Sequence, residues 1–151
     1  MEIEMDDKLQ RLKALAEKAD TIASYEIERK RNLKRLRELF EKLQLHEKVD
    51  RFDDLFDFNA VNLAGISLQP GQLGVPFEKK YAQIIAITKV EEGGKSRSKN
   101  INLRYFGRAD TLDPALRARI CEFVLRWRLE KSFRGVDRYR GLLKNLETPS
   151  N

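Results

Sequence analysis

The sequence predicts an α+β fold with a long amino-terminal helical arm, a small antiparallel sheet of two or three strands, and two carboxy-terminal helices. Three observations predict it. No glycine or proline interrupts the chain from about Met5 to His46. Two β-branched or alternating runs then flank a turn-rich connector. Last, an Asp-Pro start signal at Asp113-Pro114 precedes an apolar stripe at helical spacing.

In the arm, alternating steps of three and four residues give Leu12, Leu15, Ala19, Ile22, Glu26, Arg29, Leu33, Leu36, Phe40 and Leu43, a heptad-like seam that is apolar at both ends and charged in the middle. A straight helix of this length extends roughly 60 Å, more than a domain of this mass needs for its own core. The arm is therefore expected to project, or to fold back near Asp20–Ser24 as a hairpin. Leu12, Ile22, Leu33, Leu36 and Phe40 are the candidate partner-binding residues, for another protein or a second copy. The segment Glu26–Arg37 crowds Arg29, Lys30, Arg31, Lys34, Arg35 and Arg37 around most of the helix, a pattern that also suits a solvated face laced with opposite charges.

Val49–Phe58 places Phe52, Leu55 and Phe56 at helical spacing between carboxylates, which predicts a short amphipathic helix capping the core; an acidic-aromatic docking motif is the competing reading. Asn59–Leu68 is ambiguous between strand and helix, and Gln69–Pro76 is a loop by its prolines and glycines. Lys80–Val90 reads as a strand covered on both faces. In Asn100–Phe106, Ile101, Leu103 and Tyr105 alternate with Asn100, Asn102 and Arg104, the pattern of a half-buried strand. Glu91–Lys99 between them predicts a hairpin with a flexible basic tip. A hairpin alone is marginal, so a third strand from Val61–Leu68 or a helical cover is required. After Pro114 the stripe Leu116, Ile120, Phe123, Val124, Trp127 predicts a packed helix, Phe133–Val136 a break, and Asp137–Leu146 a short last helix. The units are thus an arm over 1–47, an α+β core over 48–147 and a tail over 148–151.

The charge is unevenly placed. The chain of 151 residues carries 30 Lys+Arg against 24 Asp+Glu, a net +6. Residues 1–60 hold 13 basic and 15 acidic side chains, so all the excess lies beyond them. Between Lys95 and Arg140 there are 13 basic residues, ten of them Arg, against five acids. A guanidinium adds bidentate phosphate binding and base stacking to simple charge, so the bias points to an anionic ligand. The expected function is a non-catalytic, nucleic-acid-binding accessory subunit of a larger assembly, without sequence-specific readout of DNA or RNA. Its contacts would come from Lys95, Arg97 and Lys99 at the tip, Arg104 and Arg108 behind it, and the rows Arg117/Arg128 and Arg119/Arg126, with Tyr105, Phe106, Phe133 and Tyr139 available for stacking. The alternative is a scaffolding or oligomerisation subunit whose arm and basic face meet acidic proteins.

Enzyme chemistry finds little material. With only His46 and Cys121, neither a histidine-based triad nor a Cys/His metal cluster can be built, and no cofactor or metal is expected. Gly93-Gly-Lys-Ser96 lacks the earlier glycine of a phosphate loop. Asp57 with Glu78 and Lys80 is the one set that would suit Mg²⁺-dependent phosphodiester hydrolysis, provided Asp57 sits beside the strand that Glu78 opens. No apolar run is long enough to span a membrane and the amino terminus is acidic, so no membrane contact and a cytoplasmic location are expected.

Overall fold

A computed structural model describes residues Glu2–Glu147, and the expected tail 148–151 lies outside them. The order is α1 (Glu2–Lys42), two 3₁₀ turns (Leu45–Glu47 and Phe52–Asp57), β1 (Ala60–Ala64), β2 (Tyr81–Glu92), β3 (Lys95–Arg108), a third 3₁₀ turn (Ala109–Thr111) and α2 (Pro114–Glu147). The three strands form one antiparallel sheet in the order β1-β2-β3.

α1 is a single helix of 41 residues, with no hairpin at Asp20–Ser24. It stops at Gln44, which takes the left-handed conformation (φ 55°) and turns the chain into the first 3₁₀ element. Only the last third of α1 is enclosed. Leu36, Leu39, Phe40 and Leu43 are buried and Leu33 packs against them, so the arm and the body share one core. Three of the candidate partner-binding residues, Leu33, Leu36 and Phe40, are therefore core residues. They belong to the cluster that also holds Trp127 and the inner sheet residues, and Phe40 meets the edge of Phe52 at 5.7 Å.

α2 is also one helix, of 34 residues, where two were expected. Gly135 and Gly141 cost roughly 1 kcal/mol each in a helix interior. Contacts with α1 offset that cost through the expected break: Phe133 meets the edge of Tyr25 at 5.1 Å, and Arg29 donates to Asp137 just beyond. α1 and α2 run antiparallel, held by three polar rungs. Arg29 Nε donates to Glu130 at 2.9 Å. Asn32 donates to the Arg126 carbonyl at 3.0 Å. Arg35 donates through two nitrogens to both Glu122 oxygens at 2.9 Å.

The inner sheet face supplies Val61, Ile84, Ala86 and Leu103 to the core, against Ile120, Phe123, Val124 and Trp127 of α2. Phe52, Leu55 and Phe56 cap this core from the second 3₁₀ turn. Phe56 stacks on Trp127 at 6.5 Å, and the Trp127 indole N–H donates to the Leu55 carbonyl at 2.9 Å. The capping expectation holds, with 3₁₀ geometry in place of a helix.

Two details of the hairpin depart from expectation. Gly93 and Gly94 both take positive φ (58° and 80°), the requirement of a two-residue type I′ turn. The ladder therefore continues to Glu92↔Lys95, and the basic tip is strand where a flexible connector was expected. Register also shifts between Ile84 and Ile85, a bulge that reverses the facing of β3 over Arg104–Phe106, up to a second shift between Ala82 and Gln83. Tyr105 consequently lies exposed on the outer face beside Tyr81, at 5.8 Å, while Phe106 packs against the core.

Gly65, at the end of β1, is required sterically as well as by its φ of 86°: a Cβ there would lie 2.4 Å from the Tyr81 carbonyl oxygen. The following loop doubles back on itself, with Ser67 N–H donating to the Val75 carbonyl at 2.9 Å and Phe77 N–H to the Gly65 carbonyl at 2.9 Å.

Candidate functional site: the projecting helices and the basic ribbon

The arginines expected to form one anion-binding face are dispersed, and most are engaged internally. Arg117 donates to the carbonyls of Gly74 (3.2 Å) and Leu112 (2.6 Å), tying α2 to the 69–76 loop. Arg128 reaches round the β1 edge to the Val61 carbonyl (3.2 Å) and Asn62 Oδ1 (3.1 Å). Arg126 donates to Glu122 at 2.6 Å and to Asn32 Oδ1 at 3.0 Å. Arg104, brought to the inner side by the bulge, donates to Gln44 Oε1 at 3.0 Å and lies 3.9 Å from Glu47. Arg108 pairs with Asp110 at 2.8 Å, and that hydrogen bond holds the Asp110 carboxyl below its ordinary range.

The two expected rows are accordingly not free surfaces. A helix of arginines reads from sequence as a solvated face, but a long fork also reaches backbone carbonyls and carboxylates several residues away, and here it does. Arg119 is exposed with no partner among the described residues.

Besides Arg119, the basic ribbon is the part of the expected site that stays accessible. Residues 91–100 are all exposed. Lys95, Arg97 and Lys99 alternate along β3 and so share one face, opposite Glu92, Val90 and Thr88. Arg97 lies 3.8 Å from Glu92, a solvent-exposed pair of the kind worth only about 0–1 kcal/mol. Of the aromatic residues proposed to stack, Tyr105 and Tyr139 are exposed, while Phe133 is buried and Phe106 packs against the core.

A second surface dominates the other end of the molecule. Met5, Leu9, Leu12, Leu15, Ile22 and Ile27 of α1 are all exposed, Leu12 at 63%. On α2, Leu125, Leu129, Ser132, Val136, Tyr139, Leu143 and Leu146 recur in alternating steps of four and three, with exposure of 39% at Leu125 and 78% at Leu146. This second seam was missed in the sequence, although its spacing is visible there, because the glycines between its members and the expected break divided it. Leu12 and Ile22 are the two candidate partner-binding residues that remain available.

The salt-linked rungs lie between these projecting ends and the body. Hydrogen bonds from Arg35 are the largest influence on Glu122; with Arg126 they outweigh desolvation and lower its carboxyl to about 2. Lys131 donates to the Phe56 carbonyl at 2.6 Å over the Trp127 ring, and burial pulls its ammonium down. Cys121 is buried and its thiol is pushed up by desolvation; it lines an apolar cavity of about 460 Å³ with Leu73, Ala118 and Leu125.

The nuclease set is divided. Asp57 ends the second 3₁₀ turn near Lys131, while Glu78 and Lys80 line a shallow cavity with Phe77 and Tyr81 that does not include Asp57. Among the described residues, no group of three His, Cys, Asp or Glu side chains is placed to hold a metal, and no helix is long and apolar enough to cross a membrane. Comparison with family models, curated proteins and solved structures finds no match to this chain.

Proposed function

We propose that the chain is a non-catalytic assembly subunit, joined to other helices through the projecting ends of α1 and α2. The observation that carries this reading is the pair of exposed apolar seams at heptad spacing. Large exposed apolar side chains so grouped mark interaction surfaces, whereas singly scattered ones need no explanation. The alternative role foreseen for the arm becomes the leading one because Arg104, Arg108, Arg117, Arg126 and Arg128, five of the seven arginines assigned to an anion-binding face, are engaged internally.

The test uses tagged full-length chain in the cells that make it. Wild type should fractionate well above 17.7 kDa, and Leu143→Glu combined with Leu12→Glu should return it toward its own mass without unfolding the body. Fractionation of wild type at its own mass or as a bare dimer would overturn the reading.

A second reading rests on the ribbon. A two-stranded arm with three cations on one face and, among the described residues, no competing internal partner beyond Glu92 suits contact with a phosphate backbone. Gel shifts with single- and double-stranded DNA and RNA at two salt concentrations test it, comparing wild type with Lys95/Arg97/Lys99→Ala. Loss of affinity across all sequences with a flatter salt dependence supports it, and unchanged binding removes it.

A further inference from the structure

We propose that α1 pairs with α1 of a second copy of this chain, antiparallel, about a two-fold axis beside Glu17. The inference rests on the assembly reading and names the occupant of one of its two faces.

Between residues 5 and 27 the α1 side chains at 5, 9, 12, 15, 16, 19, 22 and 23 form one broad apolar face. Tyr25, Arg29, Asn32 and Arg35 carry the contacts to α2, and at about 100° per residue the centre of the face, at Leu12 and Ala19, lies roughly a third of a turn away from them. α2 therefore leaves most of the face open and borders it at one edge, where Ile22 and Glu26 line a cavity with Asp137 and Arg140. Two charges interrupt it, Lys8 and Glu26. They stand 18 residues apart, which is five helical turns, so they fall on the same line about 27 Å from each other. Both are exposed, and neither has a partner among the described residues.

Antiparallel pairing about residue 17 lays Lys8 of each copy on Glu26 of the other, so one symmetry operation neutralises every charge in the face. Parallel in-register pairing would set like on like, which is the repulsive element that decides orientation. The same operation places Leu12 opposite Ile22 and Leu15 opposite Ala19. It brings Leu9 beside Ala23 and lets Ala16 meet its own copy next to the axis. Leu9 and Leu15 thus meet alanines of the other copy, which permits close approach of the two helices, while Leu12 packs on Ile22. Lys18 and its copy flank the axis on the wetted rim. Complementarity of size and of charge both lie within one segment, the property of an isologous interface. A foreign helix would need to reproduce both.

The experiment is sedimentation equilibrium of purified full-length chain over a wide concentration range, with far-UV circular dichroism showing that each variant keeps its fold. Wild type should double its mass. Lys8→Glu and Glu26→Lys should each weaken the dimer, raising Kd on the order of tenfold, by setting like charges together. The combined swap K8E/E26K should return Kd to within about threefold of wild type, and Leu12→Glu should give monomer. On oxidation, Ala16→Cys should crosslink to itself, whereas Gln10→Cys, on the far side of the helix, should not. A wild type that stays monomeric, a swap that fails to restore, or a dimer indifferent to Leu12→Glu overturns the proposal. A purified monomer that still fractionates high in cells removes this inference and leaves the assembly reading standing. A purified dimer that is a bare dimer in cells does the reverse.

Discussion

The two ends of α1 carry the same kinds of side chain and meet opposite fates. Residues 33–43 bring Leu33, Leu36, Leu39, Phe40 and Leu43 to the body and vanish into its core; residues 5–23 bring Met5, Leu9, Leu12, Leu15 and Ile22 to a similar spacing and leave them in water. Spacing makes a helix amphipathic, but only a partner surface makes its apolar side a core. In this chain the sheet and α2 cover the inner end alone.

The comparison can be broken most sharply at the core. Trp127→Ala removes the ring that stacks on Phe56 and donates to Leu55, and should cost about 3–5 kcal/mol in denaturant unfolding. Leu36→Ala should cost about 2–5 kcal/mol, while Leu12→Ala, the same change on the outer end, should leave the unfolding free energy of dilute protein within about 0.5 kcal/mol. Equal costs for the two leucines would show that the outer end is covered in the isolated chain.

At the junction of the two regions, Glu130→Ala removes the enclosed partner of Arg29, leaving its guanidinium to Asp137 alone, and should destabilise by about 1–3 kcal/mol, part of it recovered when Arg29→Met is added. Recovery by the double change would sharpen the distinction between a rung that stabilises and one that mainly sets register.

Acid provides a gentler probe of the neighbouring rung. The Glu122 carboxyl, held at about 2 in the folded chain against an ordinary 4.5, adds stability that is complete above pH 4.5 and is lost as pH falls toward 2. Partial exposure of the pair reduces that contribution to about 1–2 kcal/mol. Glu122→Gln should flatten this limb of the stability profile, and an unchanged acid limb would place the loss elsewhere.

The smallest effect on stability belongs to the ribbon. Lys95/Arg97/Lys99→Ala should change unfolding by no more than about 0.5 kcal/mol. If the ribbon binds phosphates, the same variant reduces the salt slope of binding by about 0.7–0.9 for each phosphate it no longer neutralises.

Much of the fold could be read from residue order because its signals are local. The uninterrupted run to His46, the Asp113-Pro114 start and the alternation of Asn100–Leu103 each specify their element without reference to the rest of the chain. What escaped depended on contacts between distant residues. Gly135 within Phe133–Val136 looks like a helix break until Tyr25 and Arg29 are placed beside Phe133 and Asp137. Tyr105 looks like a core residue until the bulge opposite Ile84–Ile85 turns it outward. The candidate site suffered most for the same reason. Whether Arg117, Arg126 and Arg128 meet a ligand or their own chain depends on carbonyls and carboxylates up to 94 residues away in sequence, and no pattern of spacing encodes those partners.

The three polar rungs between α1 and α2 act as a detent. Sliding one helix along the other by a single turn, about 5.4 Å, would separate Arg29 from the fully enclosed Glu130 and Arg35 from Glu122 together. Both free ends are thereby held at a set distance and rotation from the sheet. Whatever grips them grips a lever anchored in the core that the inner parts of both helices share.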